Sequence, residues 1–256
     1  MGTDYNIIIL CRHGERIDCT NEYQNQRASE YDPELTKKGN ELSKNIGIQI
    51  ANKFKSYIDK NGIKLYCSPF TRTLETALSM RNEMHKIIPN KTNQELIIVK
   101  DLGEINFYSY DIYPTLLYYL NGKKEKGTKL YEELIMDKIK KSNVKYDLKY
   151  IDYGEVSFPE GKKEADLRYI NFLKKIMDEI KDKIGYLIMI VTHGEGVSAC
   201  SKYLYNLIKI KDEKEKISGY FNKISGGNQK YCNSVCFKIT KNGEVHYCCN
   251  ILPNNY

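Results

Sequence analysis

Apolar residues follow two rhythms along this chain, and each rhythm predicts a different element. Short unbroken apolar runs occur at Tyr5 to Leu10, Ile63 to Cys67, Leu96 to Val99 and Tyr186 to Val191. Such runs fit strands buried on both faces, and the last is the clearest. Between them, Leu35, Leu42, Ile46, Ile50, Phe54 and Ile58 recur at about helical spacing, with Asp32-Pro33 ahead of them as a start signal. Thr71 to Met84 reads as a further helix, and Leu167, Ile170, Leu173, Met177 and Ile180 mark another amphipathic one. Ser234 to Ile239 and Val245 to Leu252 read as a β-hairpin around the turn Lys241-Asn242-Gly243. Strands alternating with helices predict an α/β sheet that is at least partly parallel.

No internal repeat and no Pro/Gly/Ser linker divides the chain, so residues 1–256 read as a single domain. One stretch, 105–161, breaks the alternation. It carries Tyr108, Tyr110, Tyr113, Tyr118, Tyr119, Tyr131, Tyr146, Tyr150 and Tyr153 with Lys clusters between them. Two readings stay open: a helical cap inserted into the domain, or a Tyr-rich outer layer packed on the sheet.

Composition narrows the function classes. There is no apolar run approaching the roughly 18 residues of a membrane span, no basic start with a long apolar stretch after it, and no Ser or Thr where a myristoylation site needs one. A cytoplasmic protein with reduced thiols is the expectation. The net charge of +7 could suit an acidic partner, but Lys and Glu are mixed throughout as on a solvated surface, which disfavours nucleic acid. The basic count is more telling in its split: 34 of the 40 basic residues are Lys and six are Arg, at 12, 16, 27, 72, 81 and 168. In so Lys-rich a chain an Arg marks a place where the planar fork is needed, because an ammonium group cannot bind phosphate or carboxylate bidentately. Among the eight cysteines, Cys232, Cys236, Cys248 and Cys249 lie near His246. Their spacing matches no standard zinc pattern, and thiols on paired strands account for it, so no metal and no cofactor is expected.

Three polar clusters each follow an apolar run directly: Arg12-His13-Gly14-Glu15-Arg16, Ser68-Pro69-Phe70-Thr71-Arg72-Thr73 and Thr192-His193-Gly194. In open α/β sheets, ligands bind beyond the carboxyl ends of the strands. If the strands are parallel neighbours, the clusters meet in one pocket holding Arg12, Arg16, Arg72, His13 and His193. Guanidinium forks suit the oxygens of a phosphoryl group, and a neutral imidazole is a competent nucleophile near pH 7.

Those clusters resemble the signature of the histidine phosphatase superfamily, the phosphoglycerate-mutase-like fold. Arg12-His13-Gly14-Glu15 is similar to its Arg-His-Gly motif, and Leu35-Thr36-Lys37-Lys38-Gly39, after Asp32-Pro33-Glu34, to its Leu-Thr-x-x-Gly element. Ser68 to Thr73 with Thr76-Ala77 is similar to its Ser-Pro-x-x-Arg-Thr-x-x-Thr-Ala element, and Thr192-His193-Gly194 to its late His-Gly. The elements stand in family order. The resemblance implies a three-layer sandwich with a mostly parallel central sheet flanked by helices. It also implies that His13 attacks phosphorus, that Arg12, Arg72 and His193 hold the phosphoryl oxygens, and that Glu104 is the acid–base carboxylate, with Glu15 an alternative that more naturally orients its neighbours. Positive side chains would then do the work of a metal.

The run Arg12-His13-Gly14-Glu15-Arg16-Ile17-Asp18 further resembles the phosphatase domains of the suppressors of T-cell receptor signalling, and on that likeness Arg16 also contacts phosphate. No SH3 or ubiquitin-associated module is recognisable beside it. Cofactor-dependent phosphoglycerate mutases usually continue with Ser and a Trp-Asn pair; this chain has no Trp. Phosphomonoester hydrolysis is therefore the expected activity, with mutase activity or an inactive phosphate-binding scaffold as alternatives. The expected partner is a phosphorylated small molecule or phosphopeptide and not a membrane, and a homodimer is left open. Cys11 and Cys19 lie close enough in sequence to His13 to raise the question of thiol control, if nearby arginines lower a thiol pKa.

Overall fold

The computed structural model describes residues 4–20, 33–89, 96–105, 146–147, 160–224 and 230–254. Its strands are β1 (Tyr5–Arg12), β2 (Ile63–Cys67), β3 (Leu96–Ile98), β4 (Tyr146–Asp147), β5 (Leu187–Thr192), β6 (Ser234–Thr240) and β7 (Val245–Ile251). Its helices are α1 (Lys37–Lys53), α2 (Lys55–Asn61), α3 (Thr71–Ile87), α4 (Lys162–Ile180), α5 (Gly194–Leu207) and α6 (Lys211–Ile224). The strands form one sheet in the order β4-β3-β2-β5-β1-β6-β7. From β4 to β1 all neighbours are parallel; β6 runs antiparallel to β1, and β7 antiparallel to β6.

Alternation along the strands builds two cores, one on each face of the sheet. Ile7, Ile9 and Cys11 of β1, with Leu65, Met189 and Val191, face Leu42, Ile46 and Ile50 of α1 and Leu74, Ala77 and Met84 of α3. Ile8 and Leu10, with Tyr66, Ile188 and Ile190, face Tyr169, Phe172 and Leu173 of α4 and Val197 and Leu204 of α5. A residue shift of one in β1 would exchange these sets. Each fully buried Ile or Leu stabilises the fold by about 1.5–3 kcal/mol. The result is the three-layer α/β sandwich expected.

Several boundaries differ from the sequence reading, each for a physical reason. The stripe from Leu35 to Ile58 is two helices, because Phe54 (φ −114°, ψ 24°) leaves the helical region. The start of α1 is set by Thr36, whose hydroxyl accepts from the Gly39 N–H at 2.8 Å, and not by Asp32-Pro33; Asp32 itself lies outside the described residues. Leu167 does not join the buried stripe of α4. It is 59% exposed, and Ala165, Tyr169, Phe172, Leu173, Ile176 and Ile180 form the stripe instead. Helices α5 and α6 were not marked by the apolar pattern. The Tyr-rich stretch 105–161 falls almost wholly outside the described residues, apart from Ile105, β4 and Glu160-Gly161.

The hairpin β6–β7 is present, with Cys236 paired opposite Cys249. Among the described residues, no group of three or more His, Cys, Asp or Glu side chains is arranged to hold a metal ion. Within the same residues no helix is long and apolar enough to cross a membrane.

Candidate active site

Strands β2, β5 and β1 are adjacent and parallel, so their carboxyl ends deliver the three polar clusters to one place. β1 pairs with β5 up to Arg12 and Thr192, which puts His13 and His193 one step beyond the same edge. The two rings lie 5.4 Å apart, inclined at 63°. His13 is 1% exposed and His193 fully buried.

The backbone around His13 is held from all sides. The His13 N–H donates to the Thr192 carbonyl at 3.0 Å, and the Cys232 N–H donates to the His13 carbonyl at 3.1 Å. Cys232 adopts φ 56°, a left-handed conformation uncommon for a side-chain-bearing residue, and local strain of this kind concentrates at functional sites. The Gly14 N–H donates to Thr76 Oγ1 at 2.9 Å, which ties the loop to α3. Gly14 and Gly39 permit a close backbone crossing: a Cβ on Gly14 would stand 2.7 Å from the Gly39 carbonyl oxygen, and one on Gly39 would overlap the Glu15 backbone. Thr36 fastens the same crossing by donating its hydroxyl to Glu15 Oε2 at 2.9 Å. Glu15 thus braces the loop, as its place in the motif suggested.

The ring nitrogens have distinct roles. His13 Nδ1 is 2.7 Å from the Gly14 carbonyl, which can only accept, so Nδ1 carries the proton and Nε2 carries the lone pair. Burial, then the charges of Arg72 and Arg12, push the His13 pKa well below 6.5, while the Gly14 carbonyl pulls the other way. The neutral, nucleophilic form therefore dominates at pH 7. His193 is lowered by burial and then by Arg72. Its Nδ1 faces Arg72 Nη2 at 3.4 Å, a group with protons only to give, so Nε2–H donates to Ser68 Oγ at 2.9 Å. Phe70 packs on the His193 ring at 4.9 Å between centroids.

Arg72 opens α3 and is 1% exposed, its guanidinium stacked 4.5 Å from the Phe70 ring centre. Its Nη2 donates to Glu104 Oε2. Glu104 Oε2 also lies 3.8 Å from His193 Nδ1. Arg16 makes a two-pronged pair with Asp18, Nε to Oδ1 at 2.8 Å and Nη2 to Oδ2. Burial pushes the Asp18 carboxyl up, but the Arg16 hydrogen bond and charge outweigh it and hold the carboxyl below its usual range. The Arg12 guanidinium lies 4.5 Å from the centre of the Tyr231 ring. Contacts join Arg72, Glu104 and His193, the His13 ring stands beside His193, and the charges of Arg12 and Arg16 act on both histidines.

Two sets of neighbours were not legible in the motifs. Tyr231 sits 5.7 Å from the His13 ring, and burial followed by a Cys19 hydrogen bond pushes its phenol up to about 12. It enters from the turn before β6, far from any of the recognised motifs in sequence. Arg168 and Tyr169 of α4 reach the loop before Glu104. The scarcity of Arg in the chain was the one signal that pointed to the first of them. The expectation that nearby arginines lower a thiol pKa does not hold for Cys11: burial, then Cys232, raises its pKa well above 9.0, against a smaller opposing hydrogen bond from Ser234.

Comparison with known proteins bears on the fold and on the N-terminal part of the chain. The family model described as "Histidine phosphatase superfamily (branch 1)" matches residues 8–115. No curated protein matches by sequence. Among solved structures, ecdysone phosphate phosphatase from Bombix mori in complex with tungstate aligns with TM-score 0.52 at 14% identity, covering 91% of this chain and 88% of that one. Phosphoglycerate mutase from Bacillus anthracis str. Sterne aligns with TM-score 0.52 at 19% identity, covering 96% and 93%. Phosphoserine phosphatase from Entamoeba histolytica in complex with 3-phosphoglyceric acid aligns with TM-score 0.50 at 18% identity, covering 97% and 98%. At such identities the structures speak for the fold alone, and the family model covers the part of the chain that carries His13, Arg72 and Glu104.

Proposed function

We propose that this chain is a phosphomonoester hydrolase working through a phosphohistidine at His13. The observation that carries the proposal is the fixed tautomer of His13: a buried, neutral imidazole whose Nδ1 proton is spent on the Gly14 carbonyl, with Arg72 and His193 beside it. In the first step Nε2 attacks phosphorus, the bond to the ester oxygen breaks, and Glu104 protonates the departing oxygen. In the second, Glu104 takes a proton from water, the hydroxide oxygen attacks phosphorus, and the N–P bond breaks. Inorganic phosphate leaves and His13 is neutral again. Arg12, Arg16, Arg72 and His193 hold the equatorial oxygens, where charge accumulates.

Glu104 is the ion-pair partner of Arg72. A phosphoryl dianion taking up that guanidinium competes with the carboxylate for the same positive charge. Substrate arrival thereby loosens the Arg72–Glu104 pair.

Mutase activity would share the phosphohistidine. Hydrolysis is preferred because Arg16-Ile17-Asp18 stands where mutases usually carry Ser and a Trp-Asn pair, and the Arg16–Asp18 fork gives that stretch a different chemistry. The same pair is the basis of the likeness to the phosphatase domains of the suppressors of T-cell receptor signalling. The test is release of inorganic phosphate across phosphorylated sugars, glycerates, nucleotides and phosphopeptides. The proposal expects hydrolysis of at least one class by the wild type and none by His13→Ala. Isomerisation of a phosphoglycerate without phosphate release would favour the mutase, and no turnover of any class would favour the scaffold.

A further inference from the structure

The stretch before Glu104 has little regular structure to fix it. β3 is three residues long, and a single tight turn, Lys100–Leu102, leads from it to Glu104. Side chains take over instead. Three successive carbonyls accept hydrogen bonds from outside the stretch: Asp101 from Arg168 Nη1 at 2.6 Å, Leu102 from Thr192 Oγ1 at 2.7 Å, and Gly103 from Arg168 Nη1 at 3.0 Å and Tyr169 OH at 2.5 Å. Arg168 is aimed by a second fork, Nε and Nη2 each donating to Glu160 at 2.7 Å, and Glu160 is 3% exposed. Its guanidinium also lies 4.6 Å from the Tyr169 ring centre. Thr192 directly precedes His193, so the same set of bonds fixes the acid loop to the strand end that presents the second histidine.

We propose that Arg168, with Tyr169, is a positioning residue that sets the Glu104 carboxyl at the leaving oxygen. The proposal rests on Glu104 being the acid–base group. A general acid must stand within about 2.6–3.2 Å of the oxygen it protonates. An error of about 1 Å can cost about a hundredfold. Lys at 168 could keep the charge, but one ammonium group cannot hold the Glu160 fork and two carbonyls in a plane at once.

The experiment measures phosphoenzyme formation by rapid alkaline quench with two substrates, an alkyl phosphate and p-nitrophenyl phosphate. The alkyl oxygen needs a proton to leave; nitrophenolate hardly does. In Arg168→Lys the alkyl-to-aryl rate ratio falls about tenfold or more, on the scale of general acid catalysis. Tyr169→Phe, which removes a single hydrogen bond and keeps the ring, shifts the ratio in the same direction by less, and stands in if the Arg168 variant does not fold. Glu104→Gln calibrates the effect. If Glu104→Gln depresses the ratio while folded Arg168→Lys and Tyr169→Phe keep that of the wild type, or slow both substrates equally, the positioning role is overturned and the acid assignment stands. If Glu104→Gln leaves the ratio unchanged, the acid assignment itself falls, and the Arg168 role with it.

Discussion

At the scale of single residues, chemistry depends on which protons are fixed in place. His13 and His193 both titrate well below 6.5 because they are buried beside guanidinium groups. As pH falls through about 6.5, an unfolded chain takes up protons on these histidines while the folded chain does not. The unfolded state then binds more protons, so stability drops as pH falls through that window and is complete above it. Thermal melting from pH 7.5 to 5 should show this loss, and His13→Asn should reduce it. By the same logic the acidic limb of kcat/KM lies below 6.5; a limb at or above that value would contradict a neutral nucleophile. Arg72→Lys keeps a charge but loses the fork that reaches His193 and Glu104, so kcat should fall about a hundredfold to a thousandfold, as when one transition-state donor is removed. A fall of less than threefold in a folded variant would remove Arg72 from the phosphoryl site. Because guanidinium groups supply the positive charge, turnover should survive a chelator; loss that a divalent metal restores would contradict this.

At the scale of elements, the site depends on close approaches between backbones. In the interior of α1, Gly47 faces the Met80 backbone of α3, and an added Cβ there would overlap it. Helix propensity alone favours Gly→Ala by about 1 kcal/mol. Here the obstacle is backbone and not the end of a flexible side chain, so the clash wins. Gly47→Ala should cost about 1–3 kcal/mol, as overpacked cores do, read from urea melts, and should spare KM. Gly39→Ala should cost stability and activity together, because its Cβ would strike the Glu15 segment that braces His13. Equal effects of the two on activity would mean that the crossing at Gly14 and Gly39 does not position the nucleophile. How far the sequence reveals these elements follows from the same physics. β1, β2 and β5 are buried on both faces and read as apolar runs; the strand ends, and so the three polar clusters, were legible with them. The break at Phe54 was not, because an apolar residue continues the stripe whatever its dihedral angles. The position of Leu167 was not either, since a Leu at a stripe's edge looks the same exposed or buried. Tyr231 and the Arg168 contacts depend on which distant segments meet, and no local pattern encodes that.

At the scale of the whole molecule, the sheet order does the assembling. β1 comes early in the chain and β5 late, yet they are neighbours, so Arg12-His13 and Thr192-His193 meet although Arg12 and its register partner Thr192 stand 180 positions apart in the chain. The antiparallel pair β6–β7 extends that edge and carries the Tyr231-Cys232 turn against His13. The proposed mechanism turns on one bond, between phosphorus and Nε2 of His13. Its direct test is alkaline quench of the enzyme within its first turnover of a radiolabelled phosphomonoester, followed by peptide mapping at alkaline pH. The account predicts a base-stable, acid-labile label on the peptide containing His13, absent in His13→Ala. A label on another residue, or turnover with no labelled protein at any time within the first cycle, would contradict it.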